Sequence, residues 1–139
     1  MSLEQMMKQH PEATKVDLDA LVECIERCSA WEAACVSCAD ACLREAGVQQ
    51  LVDCIRLNLD CADLCGVPVR LLSRHSSREP RVLHDALLAC IVGCIACAEE
   101  CQRHADHHEH CAVCAEECRR CAQSCEDLRA LLPRDSNFT

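Results

Sequence analysis

Tyrosine is missing from this chain of 139 residues, and Trp31 and Phe138 are its only aromatic residues. A core built on ring packing is therefore excluded, and small side chains must let the backbone elements approach closely. A basic excess is missing too: 14 Lys and Arg face 23 Asp and Glu, for a net charge of −9. Binding to nucleic acid calls for clustered Lys and Arg against phosphate, so that class is excluded, and the acidity serves solubility. No apolar run reaches the roughly 18 residues of a membrane span, so no membrane role is expected. The opening Met-Ser-Leu-Glu-Gln-Met-Met-Lys-Gln-His lacks the apolar stretch of a secretion signal, which makes the cytoplasm the expected compartment. There is no pairing of a nucleophile with a base, no Gly-rich phosphate loop and no open carboxylate pair, so an enzyme is not expected.

What the sequence has in their place is sulfur, as 17 cysteines. Cysteine at this density marks a disulfide scaffold in a short secreted chain. In the cytoplasm thiols stay reduced, and the same density points to metal binding or catalysis. The spacing is regular. Cys90, Cys94, Cys97 and Cys101 form one ladder, and Cys111, Cys114, Cys118, Cys121 and Cys125 form a second, in alternating steps of three and four. On an ideal α-helix these steps keep the first ladder within an arc of about 60° and the second within about 80°. Cys24, Cys28, Cys35, Cys38 and Cys42 repeat the rhythm earlier in the chain, with Trp31 in the vacant step as a packing wall, and Cys54, Cys61 and Cys65 do so with Asn58 in theirs, a weak ligand for a soft metal and better read as a buried amide that hydrogen-bonds within the bundle. Such stripes normally belong to the Leu, Ile and Val of a bundle core.

Read in order, residues 1 to 16 are a peripheral segment in which Ser2 and Gln5 predict the cap of a short helix stopped by Pro11. A first long helix is expected from Asp17 to Ala46, ended by Gly47. A second is expected from Val48 to Ser73, with Pro68 kinking it or ending it near Gly66. Ser73 to Glu79 form a polar link, and Pro80 opens a third helix that reaches Ala105 and is apolar nearly all the way round. The fourth runs from His108 to Leu132, with a charged outer face, and 133–139 are a tail. The expected fold is all-α: one domain over residues 1–139, an antiparallel up-down-up-down four-helix bundle over 17–132 with a short N-terminal helix, its core lined by cysteines.

Free cysteine can pack as a small hydrophobe, but it fills less volume than Leu and makes a poor core by itself. Disulfides within a helix are disfavoured, because residues three or four apart hold their Cβ atoms about 5–6 Å apart and a bridge wants about 3.8 Å. Zinc takes discrete four-ligand sites, and iron–sulfur clusters take short-spaced runs that are absent here. Cu(I) is soft, prefers thiolate, and is satisfied by two sulfurs in a near-linear arrangement; if each sulfur bridges two ions, the 17 thiolates hold about 17 ions, whose charge they balance. An iron–sulfur or thiol-redox protein stands as the alternative, and a helical interaction module that binds no metal as a third class.

The cysteine-lined helices, with both step lengths alternating through Cys90–Cys101 and Cys111–Cys125, resemble those of the bacterial cytosolic copper storage proteins. The resemblance covers residues 17 to 132. It implies antiparallel helices, storage of many Cu(I) ions on the 17 cysteines named above, and assembly of bundles into a homotetramer. Copper ions are then the expected partners, with a copper chaperone as a conceivable donor. Leu88, Ile91, Val92 and Ile95 on the third helix, with Ile55, Leu57, Leu59 and Leu64 on the second, form the apolar face expected to join bundles.

The residues that extend each stripe set the expected direction of entry. Leu21, Leu72, Leu83, Leu87, Leu128 and Leu132 gather at one end as an apolar seal. The other end carries His104 and His108, with His107 and His110 in the same turn and Glu45 and Asp53 nearby. A polar interhelical turn would have this composition, and so would a metal-handling tract. The expectation is that His104 and His108, with His107 as a further candidate, receive copper and pass it to Cys101, Cys111, Cys42 and Cys54.

Overall fold

Ser2 and Gln5 close a reciprocal capping box: the Gln5 N–H donates to Ser2 Oγ at 3.1 Å and the Ser2 N–H to Gln5 Oε1 at 2.9 Å. It starts α1, Leu3–Lys8, whose Met7 is buried against the bundle. The computed structural model describes residues 2–11, 16–74 and 79–133. The tail from Arg134 onward and most of the polar link before Glu79 lie outside the described residues, as do residues 12–15 of the N-terminal segment.

The first long helix, α2, spans Leu18–Leu43, and the Asp17 carboxylate caps it by accepting the Asp19 N–H at 2.9 Å. It stops three residues before the expected end at Ala46. The Arg44 N–H bonds to the Ala41 carbonyl and the Glu45 N–H to that of Cys42, which tightens the last turn. Gly47 is not the stop; with φ of −90° it precedes a 3₁₀ turn, Val48–Leu51. The next helix, α3, spans Val52–Ser73 and passes straight through Pro68, so the expected end near Gly66 does not occur. Proline removes one backbone bond to the preceding turn. Pro68 is itself buried, and Leu72 beyond it joins the core, so packing carries the helix on.

Glu79 accepts the Arg81 N–H at 3.3 Å and Pro80 occupies the first turn of α4, Pro80–His104. The His108 carbonyl accepts the Cys111 and Ala112 N–H groups at the start of α5, Glu109–Leu131, with no cap bond from its side chain. By length and composition α4 is apolar enough to cross a membrane, which no uninterrupted run in the sequence suggested. Its Leu87, Cys90, Cys94, Cys97 and Cys101 nonetheless line the shared core.

The four long helices form a ring in which α2 packs on α3 and α5, and α4 on α3 and α5. Contacts between opposite ends of neighbours establish that they are antiparallel: Cys24 meets Cys125, Cys65 meets Cys90, and Cys54 meets Cys101. Gly93 lets α3 and α4 close up, since a Cβ there would stand 2.8 Å from Leu64 Cδ1. Every one of the 17 cysteines is free and buried.

Candidate metal centre

Because each stripe faces the axis, the thiols form a column with two ends. At the closed end lie Cys24, Cys28, Cys61, Cys65, Cys90, Cys94, Cys121 and Cys125, linked by sulfur–sulfur contacts of 2.8 to 3.9 Å, of which Cys65 to Cys90 is the shortest. The mouth set is Cys35, Cys38, Cys42, Cys54, Cys97, Cys101, Cys111, Cys114 and Cys118. Within each set, groups of thiols come close enough to share an ion: Cys28, Cys90, Cys121 and Cys125 lie within 4.8 Å of one another, as do Cys38, Cys42, Cys54 and Cys111. The groups draw on several helices. Folding therefore assembles what no single stripe contains.

Trp31 and Asn58 occupy the two vacant steps and are fully buried. The indole Nε1–H donates to Cys61 Sγ at 2.9 Å. The Asn58 amide donates to the Cys54 carbonyl at 2.8 Å and accepts from the Cys114 and Cys97 thiols at 2.9 and 3.3 Å. Asn58 is thus satisfied by the bundle, as a buried amide must be.

Thiol acidity differs from site to site along the column. Hydrogen bonds from Cys125 and Cys28 draw Cys24 down to about 5, and those from Cys35, Cys65 and Cys94 draw Cys61 down to about 5. Donation from Cys101, Cys114 and Cys54, with His110 adding, holds Cys38 far below the usual thiol range. Burial does the reverse. It raises Cys35 and Cys118, and with the neighbouring Cys38 charge it pushes Cys42 up to about 11. Sulfurs ringed by donors hold negative charge, and a soft cation among them would relieve it.

The two ends differ as their residues predict. Leu21, Leu72, Leu83, Leu87, Leu128 and Leu132 are all buried in the core cluster with Met7. His84 bonds to the Pro133 carbonyl there, and Arg129 to the His84 carbonyl at 3.1 Å. At the mouth, His104 lies 3.3 Å from Glu100, and His108 lies 3.4 Å from Glu45. His107 and Asp53 are exposed.

Among the described residues, the histidine that touches sulfur is His110. Its Nδ1 lies 3.4 Å from Cys38 Sγ and 3.6 Å from Cys111 Sγ, while its buried Nε2 has only an ionic contact, 3.4 Å from Glu45. The sequence placed it merely in the same turn, because the stripe of α4 was extended to His108. In fact α4 ends at His104, and His108 opens α5. The adjacency of His110 to Cys111 was the available signal.

The donor set is thus soft sulfur, shielded from water, with one imidazole at its upper edge. A family model for copper storage proteins matches residues 17–130. A copper storage protein from Streptomyces lividans, solved after loading with 10 copper equivalents, is 45% identical, with a TM-score of 0.91 over 94% of this chain and 100% of that one. A second structure, of copper loading to a cytosolic copper storage protein from Streptomyces lividans with five coppers, is 49% identical, with a TM-score of 0.78 over 81% of this chain and 93% of that one. An uncharacterized cysteine-rich protein of Bacillus subtilis (strain 168) is 36% identical over 107 residues, 77% of this chain and 94% of that protein.

Proposed function

Because the chain belongs to the copper storage protein family, we propose that it stores copper as Cu(I), many ions per chain, with the 17 thiolates of the column as ligands. The observation that carries this is the burial of every thiol, most of them in groups that already lie within ligand-sharing distance. Thiolate is the soft donor Cu(I) prefers, and a univalent ion shared between two sulfurs leaves the column neutral at about one ion per cysteine. The role is that of a sink that lowers free copper in the cytoplasm, without catalysis, supplied by a donor such as a copper chaperone.

Copper enters at the histidine end. His104 and His108 flank the mouth, and His110, beside Cys38 and Cys111, hands the ion to the first thiols. His107 is exposed and can only meet the ion outside the mouth. The bundles assemble into a homotetramer through α3 and α4, whose Leu59, Leu88, Val92 and Ile95 are exposed, with Leu88 and Val92 lining a groove of about 510 Å³ between the two helices. Ile91, expected on this face, is instead buried within the bundle.

The metal class is tested by anaerobic addition of Cu(I) to the reduced protein. Ultraviolet thiolate-to-copper absorption growing in a colourless solution is the expected result. A brown protein as isolated would assign the column to iron and sulfide.

A further inference from the structure

His110 turns its two ring nitrogens to different chemistries. Nδ1 faces the column, 3.4 Å from Cys38 Sγ and 3.6 Å from Cys111 Sγ, and Nε2 faces Glu45. Among the described residues the buried Nε2 has no hydrogen-bond partner. It lies 3.4 Å from Glu45 Oε1, and the other oxygen of the same carboxylate lies 3.4 Å from His108 Nδ1. Both distances exceed the range of an N–H···O bond, about 2.7 to 3.2 Å. They match a different geometry. Donors held about 2.0–2.1 Å from a tetrahedral zinc ion stand about 3.4 Å apart, and two imidazoles on one such ion place their ring centres about 5 Å apart. The rings of His108 and His110 are centred 5.5 Å apart.

We propose that Glu45, His108 Nδ1 and His110 Nε2 form a site for one divalent cation of borderline hardness, zinc(II) above all, separate from the sulfur column. Carboxylate oxygen is a hard donor that suits Cu(I) poorly, whereas two imidazoles and a carboxylate, with a fourth position left to water, are a set that zinc takes. The backbone holds these residues in place. The Glu45 N–H bonds to the Cys42 carbonyl at 3.2 Å, at the tightened end of α2. The His108 N–H bonds to the His104 carbonyl at 2.9 Å, and its own carbonyl accepts the Cys111 N–H at 3.0 Å, so α4 and α5 pin it from both sides. All three side chains are partly exposed, which gives the ion a way in. With Nε2 on the ion, His110 carries its proton on Nδ1 and donates it to Cys38 Sγ, the outer hydrogen bond that orients a metal-bound imidazole. The site does not rest on the copper-storage reading, although its test uses the copper-loaded chain so that the thiols are occupied.

The experiment adds Co(II), a coloured stand-in for zinc, to the Cu(I)-loaded full chain and reads the visible ligand-field bands together with any copper released. One Co(II) per chain should bind with the bands of tetrahedral nitrogen and oxygen ligation, without loss of copper, and Zn(II) should bleach the colour by displacing it. Glu45→Gln and His108→Ala should each weaken binding by about tenfold or more, since even an outer partner of a metal ligand is worth that much. His107→Ala, at an exposed position beside the site, should bind as the wild type does. Absence of binding overturns the proposal. So does copper released in step with added Co(II), which would make thiols the ligands, and so does wild-type affinity in both Glu45→Gln and His108→Ala. Should the substituted chains fail to fold, zinc-edge anomalous diffraction from the wild type decides: a peak within ligand distance of all three residues upholds the site, and peaks only elsewhere overturn it. A chain that takes four or fewer Cu(I) overturns the storage reading alone, and the same anomalous map, from the reduced protein with Zn(II), then decides the site.

Discussion

The Asn58 side-chain oxygen accepts the Cys114 thiol at 2.9 Å, joining α3 to the diagonally opposite α5 through the middle of the core. The same amide holds the Cys54 carbonyl at 2.8 Å. Asn58→Ala would leave the Cys114 and Cys97 thiols without that acceptor beside a small void, at a cost of about 1–3 kcal/mol. Urea denaturation of the reduced, metal-free protein checks this. An unchanged midpoint would mean that the amide contributes nothing net.

Acidity makes a second prediction for the same metal-free state. Cys42 is raised to about 11 in the fold, so it keeps its proton where the unfolded chain's thiol, near 9, has lost it. Its contribution to stability is complete below pH 9 and is lost as pH rises through about 11. Cys24 is lowered to about 5, and its contribution, complete above 9, is lost as pH falls through about 5. The denaturation midpoint should therefore peak near pH 9 and fall on both sides. A midpoint that rises steadily from pH 9 to 11 would contradict the assignment for Cys42.

The helix count, the sulfur stripes and the buried roles of Trp31 and Asn58 were legible in the sequence because steps of three and four admit only one periodic structure. The misplaced boundaries have physical causes. Pro68 loses a single bond that the burial of Leu72 outweighs, and Gly47 lies beyond a helix already closed by the 3₁₀ contacts of Arg44 and Glu45. Two features could not be read from any one stripe. Placing His110 against Cys38 needs the pairing of α2 with α5, and finding Ile91 buried needs the roll angle of α4 against α3.

Assembly is tested on the face that remains exposed. Ile95→Glu places a charge at a position 45% exposed, so the bundle itself should tolerate it while the contact between copies does not. Light scattering should then fall from a tetramer to the 15.4 kDa of one chain, with helicity unchanged. A wild-type mass already equal to one chain would contradict the tetramer.

The direction of entry is tested from both ends. Replacing His104 and His108 together by Phe should slow loading while leaving capacity within about one or two ions of the wild type, since the thiolates remain. His110→Ala should slow it further, because that imidazole lies against Cys38 and Cys111. If Leu21→Ala with Leu128→Ala accelerates loading more than the histidine changes slow it, the ion enters at the leucine end.

The central claim is that the column is a copper store filled by its own thiolates, and stoichiometry tests it most directly. Anaerobic Cu(I) titration of the reduced protein, with free thiols counted before and after, should saturate well above ten ions per chain and near the 17 set by the cysteines, with the thiols consumed together. Saturation at four or fewer ions, with most thiols still free, would contradict it.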